Sequence, residues 1–342
     1  MTQGAPVTRR TALASLGAAA LSACAAPERL AQLGGDGPPA PPPQDPGGAE
    51  PRGGIGGTGI TVGVIGTLTG FGSLRVNGVT LLTDARQAPS PLGPLALAPG
   101  HVIEAGAARV NAGLELRGLR AVVAVAGPVT RALSSDGRLE VVGLAVQLEP
   151  GAPPPVGGAP AGRRLAVSGL WRGDVLVASR LDPVADAAPD VLSGVLGEVL
   201  RSRAGDAARL GPAVVQAPPG ALRSGEFHVL TGRWPSAGSF VAEAAEVGRP
   251  LLDRRLDAFS AEGYLRGDAE RGYALSGLGA ALEPGPRIAQ LASGRAVFIG
   301  AFDGRFRISH GIPLPEGATP RAFALDRVGD GFAPGAGAVD TR

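Results

Sequence analysis

No lysine occurs anywhere in the chain, so every fixed positive side chain is an arginine. A catalytic serine and lysine pair is therefore excluded. Cysteine is reduced to one residue, Cys24, near the amino terminus. Everything beyond it is without disulfides, thiolate zinc sites or a cysteine nucleophile. Aromatic residues make up only 4% of the chain, too few for a base-stacking platform on a nucleic-acid groove. The 32 basic residues are dispersed and nearly balanced by 30 acids, so no basic stripe stands out either, and no nucleic-acid partner is expected. No HExxH helix and no GxSxG elbow is present, and neither a cofactor nor a metal site is expected. No catalytic residue is nominated.

What is present begins with a leader. Arg9 and Arg10 precede an apolar span from Thr11 to Ala20, followed by Leu21, Ser22, Ala23 and Cys24. A basic start, a short apolar run and small residues before a cut form an export signal. The run is shorter than the roughly 20 apolar residues of a membrane-spanning helix. Thr8 to Leu13 also looks like a twin-arginine signal, although the bulky apolar residue usual two places after the arginines is Ala12. Leu21 to Cys24 resembles the bacterial lipobox, which implies cleavage before Cys24 and a diacylglyceryl thiol as membrane anchor. Several acyl chains at about 0.8 kcal/mol per buried methylene hold durably. The alternative is an ordinary secretory leader cleaved nearby. Ala25 follows the cysteine, where aspartate would favour retention at the inner membrane in the lipoproteins this resembles. The expected place is thus the periplasmic side of the outer membrane.

The expected organisation is a signal peptide over 1–23, a lipidated cysteine and disordered tether over 24–59, and four β modules over 60–125, 126–188, 189–250 and 258–325. A disordered tail follows over 326–342. The tether is rich in Pro and Gly and buries too little apolar surface to order itself. About 35 such residues span roughly 30 Å. Gly54, Gly56 and Gly59 satisfy GxGxxG, but a dinucleotide needs a strand before and a helix after that motif. A proline-rich linker precedes it and a β-branched run follows.

The modules are read from internal repetition. Each opens on a glycine and a short apolar strand, at Gly63, Gly127, Gly194 and Gly263. Each closes on a glycine-bracketed strand: Gly100 to Gly106, Gly162 to Gly169, Gly225 to Gly232, Gly294 to Gly300. Within the closures apolar residues alternate with period two, as in Leu165, Val167 and then Val175, Val177, which predicts strands. Phe240 to Val247 is the longest helical candidate and fits a strand end equally. The fold class predicted is all-β, with about four tandem five-stranded barrel-like modules of the OB-like or SH3-like kind.

The first module carries the most specific string, Gly66 to Val79, reading GTLTGFGSLRVNGV. It resembles the modules of an uncharacterised bacterial family of exported and lipid-anchored proteins, domain of unknown function family 5666. The other three modules share the pattern but not the words. The resemblance implies no catalytic or binding residue. From the residues themselves, Asn77 and Gly78 favour the type I′ hairpin turn, placing Ser73 to Val76 and Val79 to Leu82 on adjacent strands.

His101, His228 and His310 stand near the closing glycines, yet at unequal offsets, and read as histidines of half-exposed strands rather than as ligands. Trp171 and Trp234 each follow a closing glycine by two residues and read as covers of a barrel end. The function expected is a non-enzymatic binding or structural array on a lipid anchor, with an envelope glycan or protein as partner. The alternatives are an accessory subunit of an envelope secretion or assembly complex, and a hydrolase with a dispersed site.

Overall fold

The structure is a computed structural model, which describes residues 59–268, 272–283, 291 and 294–314. The leader with Arg9, Arg10 and Cys24, the tether before Gly59 and the tail over 326–342 lie outside the described residues. Among the described residues the protein is all-β, with a short 3-10 turn at Pro250–Asp253.

The first segment holds β1 (Val62–Gly70), β2 (Leu74–Val76), β3 (Val79–Leu81), β4 (Gln87–Ala88), β5 (Leu95–Ala96), β6 (Val102–Val110) and β7 (Gly113–Val122). β1 pairs antiparallel with β2 and β6, β2 with β3, and β6 with β7. Leu82, just past β3, bridges to Glu115 of β7 in parallel. The pairings therefore return on themselves in the order β1, β2, β3, β7, β6, β1.

The second segment, β8 (Val125–Arg131), β9 (Arg138–Val141), β10 (Leu144–Leu148), β11 (Arg164–Arg172) and β12 (Val175–Pro183), repeats this order. β8 pairs with β9, β9 with β10, β10 in parallel with β12, β12 with β11, and β11 with β8. The third segment holds β13 (Asp190–Val195), β14 (Leu200–Ser202), β15 (Gly205–Leu210), β16 (Ala213–Ala217), β17 (Phe227–Ser236) and β18 (Ser239–Val247). Its first strand is broken into β13, which pairs with β17, and β14, which pairs with β15. The parallel contact is between β16 and β18. The fourth segment, β19 (Leu256–Asp268), β20 (Gly272–Leu275), β21 (Ala281–Glu283), β22 (Arg295–Phe302) and β23 (Arg305–Pro313), pairs β19 with β20 and β22, β22 with β23, and β21 in parallel with β23.

Two recurrent devices shape all four segments, although among the described residues no pairing joins β20 to β21 to close the fourth. The hairpins β6–β7, β11–β12, β17–β18 and β22–β23 each shift register at Ala107, Gly169, Gly232 and Gly300 respectively. A Cβ at Gly169, Gly232 or Gly300 would fall onto the carbonyl oxygen of Val177, Val241 or Arg307. The bulge bends the strand sharply, as ring closure requires. The second device is a glycine in each first strand, lying under the turn between the second and third strands. A Cβ would meet Asn77 at Gly66, Val142 at Gly127, Leu210 at Gly194 and Leu275 at Gly263. The opening glycine of the first segment is therefore Gly66 and not Gly63. Gly66 pairs with Ile103, four residues before the bulge, as Gly127, Gly194 and Gly263 pair with Leu165, His228 and Ala296. Gly63 serves a contact between segments, where a Cβ would press on Leu256 and Phe259.

The segments join through their first strands. β1 runs parallel to β19, Val62 to Ile65 against Ala258 to Ala261. β8 runs antiparallel to β13, with Ala126 opposite Val191 and Val125 opposite Leu192. Strands with one solvated face alternate, as β16 does from Ala213 to Ala217. β1, β6 and β11 are instead buried on both faces through most of their length, with glycine, alanine, serine or threonine where a neighbouring segment must approach. Val102, Val122, Leu170, Val177, Phe227, Val229 and Tyr264 form one cluster drawn from all four segments. Phe240, Phe259, Phe298 and Phe306 are the largest fully buried side chains, each worth roughly 1.5–3 kcal/mol of burial.

Candidate functional site

The ionisable residues that the fold gathers lie at the seams between segments. In the first seam Glu104 of β6 receives Arg249, from the turn after β18, at 2.8 Å. It also accepts the Leu251 amide at 3.1 Å and lies 3.3 Å from Arg120 of β7. Arg249 continues to the Gly277 carbonyl at 2.6 Å and stacks 3.6 Å over the Phe227 ring. One guanidinium thus ties the first, third and fourth segments. Burial by itself raises the Glu104 carboxyl, but Arg249 and Arg120, with the hydrogen bonds from Arg249 and Leu251, outweigh it and hold the group below the usual carboxylate range. Glu104 is accordingly ionised near neutral pH.

In the second seam Arg295 of β22 meets Glu262 of β19 and Glu149 of the second segment, each at 2.9 Å. It also donates to the Thr67 hydroxyl at 3.1 Å, while the Thr67 amide donates to Glu262 at 2.7 Å. Tyr264 stands beside this pair, and burial raises its phenol.

The hairpin turns are also drawn inward. Asn77 adopts φ 53° and Gly78 φ 75°, the type I′ geometry expected from the sequence, and the register of β2 and β3 follows it. Asn77 is fully buried, and its amide donates to the Ile65 carbonyl at 2.9 Å and the Ser260 hydroxyl at 3.1 Å. Val142 takes the equivalent place with φ 51°, a costly angle for a β-branched residue. It packs over Gly127 and accepts the Gly238 amide at 2.7 Å.

The tryptophans exchange segments. Trp171 of the second donates to the Ser193 carbonyl of the third at 3.1 Å, and Trp234 of the third donates to the Ala126 carbonyl of the second at 3.3 Å. Both acceptors immediately precede the opening glycine of their segment. The indoles are reciprocal fasteners across one seam, where the sequence suggested covers for barrel ends.

The three histidines are not brought together. His101 accepts the Ala98 amide at Nδ1, 3.0 Å, so Nε2 carries the hydrogen that faces Asp182 at 2.8 Å. His228 donates from Nδ1 to the Glu226 carbonyl at 3.0 Å and accepts the Arg223 amide at Nε2, 3.1 Å. Burial pulls its imidazole down from the ordinary value. His310 is exposed beside Ser309. Among the described residues no group of three or more His, Cys, Asp or Glu could hold a metal ion, and no helix is long and apolar enough to cross a membrane.

One surface is hollowed. Two adjoining recesses of about 360 and 260 Å³ lie on either side of Arg120, which lines both together with Pro89. The larger runs between β7 and the hairpin β17–β18, walled by Val122, Val229, Ala244 and Ala245. The smaller is lined by Ile60, Leu119 and Leu251, with Glu104 in its wall. Between them the Arg120 guanidinium ion-pairs with Glu246, whose side chain is 51% exposed. Nothing in the local sequence around Arg120 announces this place, because the partners Glu104 and Glu246 come from different segments.

No family model matches the chain, and comparison with curated proteins and with solved structures finds no similar one.

Proposed function

We propose that the four segments are small five-stranded barrels of the OB kind, over 60–125, 126–188, 189–250 and 258–325, fused into one block. The recurring order of first, second, third, fifth and fourth strand, with a parallel contact of third and fifth, supports this reading over the SH3-like one. The particular protein is then a lipid-anchored periplasmic protein of the bacterial outer membrane, held through Cys24 and a Pro- and Gly-rich tether, as the lipobox and the resemblance to family 5666 imply. Its block acts as a non-enzymatic binding or scaffolding body for an envelope glycan or protein. The observation that carries the binding reading is where the ionisable side chains go. Glu104, Arg249, Glu262 and Arg295 are engaged across seams, and the main hollow is a groove with largely apolar walls.

The anchor is tested by expressing the full-length chain and its Cys24→Ser variant in a Gram-negative host with a radiolabelled fatty acid. The native chain is expected to carry label and to sediment with outer membranes, and the variant to be unlabelled and released by osmotic shock. Equal fractionation of the two, with no label on either, refutes the anchor.

A further inference from the structure

We propose that the recess beside Arg120 is a binding site for a carboxylate carried on an apolar chain, with Arg120 as the group that receives the carboxylate. This rests on the binding reading above and names its ligand class.

Arg120 is held from behind and closed from the front by different kinds of partner. Behind it Glu104 is 5% exposed and fixed by Arg249 and the Leu251 amide, so the rear ion pair is permanent. In front, the Glu246 side chain is half solvated and comes from a neighbouring hairpin. An exposed pair of this kind contributes little to stability, and its carboxylate is free to swing into water. A carboxylate arriving from solution would take its place on the same nitrogen with no loss of charge pairing.

The surroundings select the rest of the ligand. Val122, Val229, Ala244, Ala245 and the Pro89 and Pro91 rings wall the larger recess, with Ser90 and Thr231 as its uncharged polar groups. Its 360 Å³ gives room for about a dozen water-sized groups. An apolar tail lying there with its carboxylate on Arg120 satisfies both features. A free fatty acid and the carboxyl terminus of an apolar peptide share this chemistry. Inorganic phosphate and small hydrophilic acids lack the tail.

The experiment is a calorimetric titration of the full-length Cys24→Ser chain, free of its own lipid, with octanoate, octanamide, acetyl-Val-Val and inorganic phosphate. Octanoate is expected to bind at least about tenfold more tightly than octanamide, as a charge-assisted hydrogen bond requires. Acetyl-Val-Val competing more strongly than octanoate identifies a peptide terminus as the source, and the reverse order a fatty acid. Glu246→Gln removes the internal competitor and is expected to tighten octanoate binding about two- to fivefold. Ala244→Trp fills the recess while leaving Arg120, Glu104 and Glu246 in the chain, and is expected to abolish binding while the chain stays folded. Arg120→Gln is expected to bind octanoate and octanamide alike. Equal binding of octanoate and octanamide by the native groove, weaker binding by Glu246→Gln, or a flat titration of both chains overturns the site. Such a result leaves the anchor standing, since that is read independently at Cys24.

Discussion

Replacing Arg249 by methionine removes a side chain that fastens three segments. Its side chain is 4% exposed and that of its partner Glu104 5%, with 2.8 Å between them. Methionine preserves most of the stem but withdraws the charge from Glu104, the donor from the Gly277 carbonyl and the cation from the Phe227 ring. Arg120 remains near Glu104 at 3.3 Å, a longer contact that Glu246 shares. Removing one member of a buried ion pair costs about 3–5 kcal/mol, because the other is left charged in a dry place. That is a fifth or more of the roughly 5–15 kcal/mol that holds a typical domain. Urea unfolding followed by fluorescence of Trp171 and Trp234 at pH 7 reads the loss. The double variant Glu104→Leu with Arg249→Met removes both charges and is expected to recover most of it. Glu104→Gln adds a check through pH. The folded carboxyl is depressed, so its contribution is complete above the unfolded value of about 4.3 and is lost as pH falls through the folded one. The gap between native chain and Glu104→Gln should therefore close on acidification below about pH 4. A loss under about 1 kcal/mol for Arg249→Met, or a double variant as unstable as the sum of the singles, refutes the reasoning.

Two further pairs of substitutions probe the seams and the hairpin bulges separately. Trp171→Phe and Trp234→Phe each leave a buried carbonyl, Ser193 or Ala126, without its indole donor; each is expected to cost about 1–3 kcal/mol in the same unfolding assay, and a change near zero would show that the ring packing alone matters. Gly300→Ala drives a methyl onto the Arg307 carbonyl and is expected to cost more than Gly304→Ala, where positive φ is strained but no atom lies in the way; thermal unfolding that ranks the two oppositely would refute the role given to the bulge.

The strands were legible because their pattern is local. The period two of Leu165 and Val167 and of Val175 and Val177, the Asn77-Gly78 turn and the bracketing glycines of each closing hairpin are each set within about a dozen residues. The seams were not, because each is a contact between segments far apart in sequence. Glu104 and Arg249 are 145 residues apart, and Asn77 and Ser260 are 183; no spacing rule connects them. A weaker signal was present all the same. Val62 to Gly70 and Val102 to Ala108 do not alternate as half-buried strands do, and a strand apolar or small on both faces must be covered twice. In a ring of strands one face is covered by the interior, so the second cover has to be another segment. The same logic explains the false opening glycine. Gly63 and Gly66 both lie in β1, one needed for the approach of β19 and the other for the turn at Asn77. Sequence spacing records that both lack a side chain but not which neighbour requires it. In β1 the glycine paired four residues before the hairpin bulge, Gly66, belongs to the turn of its own segment, and Gly63 marks the seam.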